Sequence, residues 1–286
     1  MSKWAAVSAL TFEKRHGRII TSEYYYRGNA KISSQMPTNE PAPYYFLITI
    51  GGGFVEGESY LTKIHVKEKA SAVITSQAPT YIYRCLNGEK TRQIIDLTVE
   101  DEGSLEFLVD DLIPYAQSNF CQKATIHLGE HSTLFYLDGL TSGWSQDEQR
   151  FTYEHLRLDT EIYFKDQLIV NDKMIIEPRN YETMTQLGLF EEYSNYNSLI
   201  VINEAIDEQY IQRVRHLLEQ YEVEATFGIS QLEYPGFILR VLGKTMDDNK
   251  TLIYACANLC RQDLLHFPQY QLRKNDYMEQ KRREVS

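Results

Sequence analysis

The sequence predicts a mainly β protein of many short strands, arranged in repeated β-turn-β units. The first sign is strand periodicity, because apolar and polar residues alternate over Leu61 to Val66 and again over Ala70 to Ile74. The second is recurrence, since the same unit returns at intervals of about 30 residues. The third is a change to helical periodicity after residue 204, which predicts two C-terminal helices packed on the sheet.

Three copies of this unit align when they are laid over one another. They begin at Ile64, Leu97 and Ile126, and each reads apolar, polar, apolar, then a charged four-residue corner, then a second strand. A fainter copy begins at Leu10. A period of about 30 residues indicates supersecondary units stacked so that each covers the apolar face of its neighbour.

Strands and a connector are predicted before the repeats. Alternation over residues 10–20, followed by Tyr24 to Tyr26, predicts two or three strands. Three prolines mark residues 35–43 as a connector, and the apolar run from Tyr44 to Ile50 predicts a buried strand. The triple glycine that begins at Gly51 then predicts a turn.

Three further elements are predicted between the repeats and the helices. The polar run from Gly143 to Glu154 lacks any periodicity, which is typical of a surface loop. Apolar triplets flank the segment Lys165-Asp-Gln, and this arrangement predicts a hairpin with a tight turn. The run from Ser198 to Ile202 has the composition of a buried strand.

The C-terminal part is predicted to combine helices and strands. Residues 205–221 place their apolar side chains on one helical face, and residues 247–265 form a second helical pattern with an acidic start. Two strands are predicted between them, at Thr226 to Ile229 and Gly236 to Leu242. We therefore expect a single domain over residues 1–286, with a β-repeat part over about 1–203, a strand-helix part over 204–272 and a charged tail over 273–286 that is too polar to bury.

Composition bounds the class of protein. With 286 residues the chain is long enough to bury a sizeable core. Its net charge of −11 argues against nucleic-acid binding, which needs a basic surface. The sequence shows no signal-peptide pattern and no apolar window long enough to span a membrane, so we expect a cytoplasmic protein without a membrane partner. Its four cysteines are few and scattered, which fits a reducing compartment.

Three motif-like patterns have simpler structural explanations. The run GGFVEGES has the glycine spacing of a phosphate-binding loop but places Glu58 where the lysine belongs, and a carboxylate would repel phosphate. The run HLGEH from His127 has a zinc-protease spacing, yet the repeat alignment puts it at a strand corner rather than on a helix. Cys256 and Cys260 share a helix face, but a structural zinc needs four ligands, so we favour two small buried residues.

A set of polar residues accompanies the repeat strands. Thr75 and Gln77 lie on one face of a predicted strand, where a filled sandwich would have apolar side chains, and Tyr83 follows them. Glu58 precedes this strand, and Asp138 ends the third repeat. If the face points inward, the interior must hold water or a passing ion, because buried polar groups need partners. The alternative is that this face is the solvent-exposed side of an edge strand.

Four segments carry a family resemblance. They are GGGFVEGE from Gly51, TSQAPTYIYR from Thr75, FLVDDLIPYAQSNFCQ from Phe107 and YLDGLTSGW from Tyr136. In order and spacing the sequence resembles urease accessory proteins of the UreD type, called UreH in some bacteria, over residues 10–172. The resemblance implies a non-enzymatic assembly factor with a mostly β fold, which is a distorted β-helix or a flattened, barrel-like arrangement with two helices. It also implies three partners, namely the urease apoenzyme, an all-helical accessory protein, and a nickel-delivering GTPase that the helical protein recruits.

The same resemblance implies a water-filled interior route along which nickel passes to urease, with no tightly bound cofactor. On that basis Glu58 and Asp138 are expected to be transient nickel ligands, and Thr75, Gln77 and Tyr83 are expected to line the polar interior. Oxygen ligands select poorly among first-row metals, so nickel is implied by the family alone. The glycine turn of the family commonly ends in aspartate, whereas this chain has Glu58, which keeps the charge on a longer side chain.

A second hypothesis is a hydrolase or lyase on a β-solenoid-like scaffold, with Asp110 and Asp111 as paired carboxylates. Adjacent residues on a strand point to opposite faces, so these two side chains would converge only at a bulge or a turn. The chain also has 21 tyrosines, which fits a protein with contact surfaces, since tyrosine is favoured in protein interfaces.

Overall fold

The computed structural model describes residues 4–37, 42–178 and 180–272, and within these ranges the chain forms eighteen strands and three α-helices. The first nine strands are β1 (Ala6–Arg15), β2 (Arg18–Gly28), β3 (Ala30–Ile32), β4 (Tyr44–Thr49), β5 (Gly53–Phe54), β6 (Ser59–Val66), β7 (Ser71–Ser76), β8 (Thr80–Ile82) and β9 (Thr91–Val99). The next nine are β10 (Ser104–Leu108), β11 (Leu112–Pro114), β12 (Asn119–Leu128), β13 (Thr133–Thr141), β14 (His155–Phe164), β15 (Gln167–Ile176), β16 (Asn195–Ile202), β17 (Ala225–Gln231) and β18 (Gly236–Gly243). The helices are α1 (Tyr181–Met184), α2 (Glu208–Leu218) and α3 (Met246–Cys260), and a π-helical turn, Arg261–Leu265, extends α3.

Two large sheets face each other. The first has seven strands in the order β15-β14-β12-β9-β6-β1-β2, and its five inner strands run parallel. The second runs in the order β17-β18-β16-β13-β10-β7-β4-β3, with β4, β7, β10 and β13 parallel. The short strands β5, β8 and β11 form a third parallel ladder beside them. Successive passes of the chain visit these faces in turn, which is the winding of a β-helix, so the predicted fold class is confirmed.

The parallel register of the sheets follows the repeats in the sequence. Ile64 pairs with Leu97, and Leu97 pairs with Ile126, across the first sheet. Leu10, at the start of the fainter copy, pairs with Ile64. The second half of that copy differs from the prediction, because β2 turns back and pairs antiparallel with β1 instead of crossing to the second sheet. The tight turn at positions 16 and 17, where both residues have positive φ, accounts for this reversal.

Strand β7 separates two apolar cores. Ile74 packs between the two sheets, whereas the adjacent Val73 packs in the core that includes the helices. This division follows from the alternation of side chains along a strand. Phe107 and Tyr136 continue the core between the sheets, with their rings stacked at a centroid distance of 5.8 Å. Each fully buried side chain of this kind stabilises the fold by about 1.5–3 kcal/mol.

The two predicted C-terminal helices are present and pack on the second sheet. The carboxylate of Asp207 caps the start of α2 by accepting a hydrogen bond from the backbone N–H of Tyr210, and the hydroxyl of Thr245 caps α3 in the same way. Buried side chains of both helices belong to the core that covers β16 and β18. The second helical pattern was predicted to reach Leu265, but α3 ends at Cys260 and the last turn is π-helical. Cys256 and Cys260 are both buried on α3.

Three smaller expectations have different outcomes. The hairpin is confirmed, and its two turn residues, Lys165 and Asp166, both have positive φ, which suits a type I′ turn. The HLGEH run begins in β12 and ends at the corner before β13, as the repeat alignment predicted. The loop over residues 143–154 is irregular, but it is not wholly a surface loop, because Phe151 and Tyr153 bury their rings in it. These rings join an apolar cluster beside the third ladder.

Two other features concern the ends of the described ranges. The predicted charged tail, residues 273–286, and residues 38–41 of the predicted connector lie outside the described residues. In the ranges that the structure describes, each helix is too short or too polar to cross a lipid bilayer.

Candidate functional site

A cavity of about 200 Å³ lies between the two sheets at the end nearest the third ladder. Both sheets and the third ladder contribute to its wall. The wall is largely apolar, with polar side chains inserted among the rings and aliphatic groups. The polar residues include Thr62, Ser76, Gln77, Gln93, Asp110, Gln122 and Asp138. A space of this size holds several water molecules or a hydrated ion.

Asp138 is one of two buried carboxylates in the wall of this cavity, and the other is Asp110. Asp138 lies on β13, is 7% exposed, and accepts hydrogen bonds from the amide of Gln122 (2.7 Å) and the hydroxyl of Tyr136 (3.2 Å). Burial raises the pKa of Asp138 to about 7, although these two partners and the backbone N–H of Gly139 oppose the rise. The carboxyl group is therefore close to half ionised at neutral pH, so it can take up or release a proton or a cation.

A second, smaller cavity of about 20 Å³ touches the same carboxylate. Asp138, Tyr136 and Asp172 are among the residues that line it, and Asp172 lies on β15. The carboxylate of Asp172 pairs with Arg240 at 2.9 Å, and both side chains are partly exposed. Asp138 thus belongs to the walls of both cavities, and polar groups continue from it towards solvent at Asp172.

Gly139, beside Asp138, leaves room for a hydrogen bond between two neighbouring side chains. A Cβ at Gly139 would overlap the amide nitrogen of Asn197 and the carboxylate oxygen of Asp111. These are the two atoms that the hydrogen bond joins. A larger residue at this position would therefore displace the side chains that form this bond.

Glu58 contacts the cavity wall through Tyr60. The hydroxyl of Tyr60 donates a hydrogen bond to the carboxylate of Glu58 (2.5 Å) and accepts one from the backbone N–H of Val55 (2.9 Å). The ring of Tyr60 lines the large cavity and stacks on Phe54 at 3.9 Å. Burial and the neighbouring carboxylate raise the pKa of Tyr60, so the phenol stays protonated and keeps donating to Glu58. Glu58 itself is half-buried and is not among the residues that line the cavity.

The three other residues expected in the polar interior occupy different surroundings. Thr75 is fully buried, but it lies on the opposite face of β7 from Ile74, and its hydroxyl donates to the carbonyl of Leu108. Gln77 lines the large cavity from its exposed mouth, one residue beyond the end of β7. Tyr83 is half-buried, one residue beyond β8, and donates a hydrogen bond to the carbonyl of Gly51 (3.0 Å). Thr75 and Gln77 therefore do not share one face of a strand as expected, because β7 ends at Ser76 and the alternation of side chains stops there.

Asp110 and Asp111 belong to a buried polar network. They lie in the short irregular link between β10 and β11, and both side chains are buried, at 7% and 1% exposure. Asp110 accepts from the hydroxyl of Ser76 (3.0 Å) and pairs with the ammonium of Lys250 (3.2 Å). Asp111 accepts from the amide of Asn197 (2.5 Å). These contacts hold the two carboxylates in ion-pair and hydrogen-bond roles, and the geometry lends no support to the hydrolase or lyase hypothesis.

Lys250 was not expected at the site. It lies on α3 and is mostly buried, and burial lowers its pKa, but Asp110 and Asp111 outweigh that effect and hold the pKa above its usual value. The signal in the sequence was a lysine one turn before Tyr254 on the apolar face of a helix, where a charged side chain needs a buried partner. The partner, Asp110, is distant in sequence and could not be assigned without the fold.

A multidentate metal centre is not preformed in the described part of the chain. In these ranges no three side chains of His, Cys, Asp or Glu converge closely enough to hold a metal ion together. The carboxylates of the site are single groups along a cavity rather than a cluster.

Comparison with known proteins identifies the family. The sequence model described as UreD urease accessory protein matches residues 5–276. The chain belongs to the UreD family. A UreD urease accessory protein of Streptococcus salivarius is 41% identical over 267 residues, which cover 93% of this chain and 95% of the relative. One from Lachnoclostridium phytofermentans is 30% identical over 262 residues, covering 91% and 95%, and one from Staphylococcus aureus is 28% identical over 242 residues, covering 84% and 86%.

Membership of the UreD family confirms the resemblance carried by the four segments of the sequence. The relatives are named as urease accessory proteins, and this supports a role for the chain in urease maturation. Three of those segments contribute polar side chains to the cavity wall, because Gln77, Asp110 and Asp138 each lie in a different one.

Proposed function

We propose that this UreD-family protein is a non-enzymatic maturation factor that scaffolds the accessory complex on apo-urease and passes nickel through its interior to the urease active site. The observation that carries the proposal is the carboxylate of Asp138, which lines both cavities between the sheets. The partners are the urease apoenzyme, the helical accessory protein and, through that protein, the nickel-delivering GTPase. Nickel is the cargo, and it crosses the protein without a permanent site.

The chemistry of the cavity suits a transient ion. A single buried carboxylate with a pKa of about 7 exchanges its proton for a cation easily, because neither form is strongly preferred at neutral pH. Gln122 and Tyr136 hold the carboxylate in place without adding a second negative charge. One carboxylate and neutral oxygen ligands bind a divalent ion more weakly than a closed cluster, which favours release. Glu58, which accepts a hydrogen bond from Tyr60 of the cavity wall, would attract the ion before it reaches Asp138.

The first experiment replaces both carboxylates, as Glu58→Ala with Asp138→Ala. The double variant is expected to fold and to join the complex with the helical accessory protein, because neither side chain lies on a large exposed surface. It is expected to activate urease poorly, since the interior then lacks the carboxylate of Asp138, and the carboxylate of Asp110 that remains in the cavity wall is paired with Lys250. Co-expression with urease and the accessory proteins, followed by measurement of urease activity and of nickel per active site, provides the readout.

The matched control is Asp147→Ala, which removes an exposed carboxylate from the loop after β13 and should leave activation unchanged. Complex formation is checked by size-exclusion chromatography with light scattering. Full activation of urease by the double variant would contradict the proposed interior route for nickel. Loss of the complex would mean that these residues act in assembly of the complex rather than in nickel transfer. Turnover by the isolated chain in a hydrolase screen would contradict the non-enzymatic assignment.

A further inference from the structure

Strand β2 is an open edge of the first sheet. Among the described residues it pairs with β1 on one side and with no strand on the other. The other sheet edges differ from it. At β17 the guanidinium of Arg215 donates to the carbonyl of Ile229, and β3 is only three residues long. Edge β15 carries neighbouring opposite charges, Asp172 and Lys173, in its middle. Open edges of this length pair with other strands unless charge or shape prevents it.

The middle of β2 consists of three consecutive tyrosines. Tyr24, Tyr25 and Tyr26 are 45%, 46% and 40% exposed, although they lie in a regular strand. Exposed rings in a row are unusual on a free surface and are enriched in protein interfaces. The rings of Tyr24 and Tyr26 are already ordered by contacts within the chain. Tyr24 and Tyr26 pack edge to face at 5.9 Å, and the hydroxyl of Tyr24 donates to the carbonyl of Ile32 at 2.7 Å. Ordering these side chains on binding would therefore cost little entropy.

The flanking charges make the strand complementary to itself. We propose that β2 pairs antiparallel with β2 of a second copy of this chain, about a two-fold axis at Tyr25. In that register Tyr25 lies opposite Tyr25 of the second copy, Tyr24 lies opposite Tyr26, and Glu23 lies opposite Arg27. All five residues are exposed along β2, and the pattern of two opposite charges around three rings maps onto itself only when the strand is reversed. This inference is independent of the proposed nickel route.

The same charges select one mode of pairing. In a parallel, in-register pairing Glu23 would face Glu23 and Arg27 would face Arg27, and like charges directly opposite each other are destabilising. Antiparallel pairing brings opposite charges together twice, because a two-fold interface repeats each contact. The hydroxyl of Thr11 donates to the carboxylate of Glu23 at 2.8 Å, which holds the group beside the edge. A carboxylate can accept further hydrogen bonds, so this contact leaves Glu23 able to receive an arginine.

The test is a charge exchange measured by light scattering. Size-exclusion chromatography with light scattering is run on the full-length wild type, Glu23→Arg, Arg27→Glu and the double variant over a concentration series. Each single change places like charges opposite each other twice, so the dimer dissociation constant should rise by at least about tenfold. The double variant restores opposite charges at both positions and keeps the wild-type net charge, so its dissociation constant should return towards that of the wild type. Unfolding temperatures of the two single variants that equal the unfolding temperature of the wild type show that the fold is intact.

A cross-link tests the register of the pairing between the two β2 strands. It reports on this register even if the isolated chain also associates through other surfaces. Tyr25→Cys places two thiols across the two-fold axis at a separation that suits a disulfide, so mild oxidation should give a covalent dimer. Tyr81→Cys, at a similarly exposed tyrosine on the third ladder, and the wild type should not. A chain that stays monomeric at all concentrations, a double variant no better than the singles, or no cross-link through position 25 would overturn the proposal.

Discussion

At the scale of single residues, the site depends on one carboxylate whose surroundings act on its charge in opposite directions. Asp138 is almost entirely buried, and three hydrogen-bond donors reach it, from Gln122, Tyr136 and the backbone of Gly139. The donors favour the ionised form and burial favours the neutral form. Burial is the larger effect and raises the pKa of Asp138 to about 7. A residue in this balance responds to small changes in pH or in local cations.

This balance predicts a pH dependence of stability. The pKa of Asp138 is 3.8, the ordinary value, in the unfolded chain and about 7 in the folded chain, so the native state keeps this proton up to a higher pH. Between these values the native state binds more protons, so the free energy of unfolding falls as pH rises and becomes level above about pH 7. The wild type should lose about 3 kcal/mol relative to Asp138→Asn between about pH 4.5 and pH 8.

Urea unfolding of both proteins at several pH values measures this difference. Subtracting the variant removes the contribution of every other titrating group that the substitution leaves unchanged. Parallel curves for the two proteins over this range would show that Asp138 titrates as an ordinary carboxyl group, and the view of it as an easily exchanged ligand would then be wrong.

At the scale of elements, the strands of the repeats could be predicted and the contacts between distant elements could not. The alternation that begins at Ile64, Leu97 and Ile126 is local, and the parallel register reproduces it. The face of Thr75 was harder, because β7 is buried on both sides and alternation alone does not say which side holds the cavity.

The candidate site shows the same division. Asp138 was identified from its place at the end of a repeat and from the family resemblance. Its partner Gln122 lies on the other sheet, and Tyr60 separates Glu58 from the cavity. These relations depend on how the sheets are placed against each other, which local periodicity does not contain.

The end of α3 provides a test of how a helix is fixed to the sheet. Arg261 begins the π-helical turn and is 0% exposed, and its guanidinium donates to the carboxylate of Glu106 on β10 at 2.9 Å. Tyr270 donates to the same carboxylate, and its ring lies 4.3 Å from the guanidinium. Arg261→Leu should reduce the free energy of unfolding by about 3–5 kcal/mol, because it leaves a buried carboxylate without its ion pair.

A double-mutant cycle separates the ion pair from simple packing. Arg261→Leu with Glu106→Leu should be less destabilised than the sum of the single variants, since neither buried charge remains. Urea unfolding of the four proteins gives the coupling free energy. Strictly additive losses would mean that the two charges do not interact through this contact.

At the scale of the whole molecule, one side chain joins the helix layer to the cavity between the sheets. Lys250 belongs to α3, on the outer side of the second sheet, yet its ammonium pairs with Asp110, which lines the large cavity. Asn249, its neighbour on α3, donates to Asn197 on β16, and Asn197 donates to Asp111. A charged side chain of the helix layer therefore sets the electrostatics of the cavity wall at Asp110. We expect the helix layer and the two sheets to unfold together, so breaking this ion pair should lower the free energy of unfolding of both.

Replacing this lysine should show that link. Lys250→Met keeps the aliphatic stem but leaves Asp110 without its cation in a buried position, so the free energy of unfolding should fall by about 2–4 kcal/mol. Lys250→Arg keeps the charge and should lose less, since only the fit changes. The matched control is Lys244→Met. In the wild type the ammonium of Lys244 pairs with Glu192 and Glu224, which are exposed, so this variant should lose less than about 1 kcal/mol of the free energy of unfolding. Urea unfolding compares the three variants with the wild type, and equal losses for Lys250→Met and Lys244→Met would mean that the ion pair with Asp110 does not connect the layers.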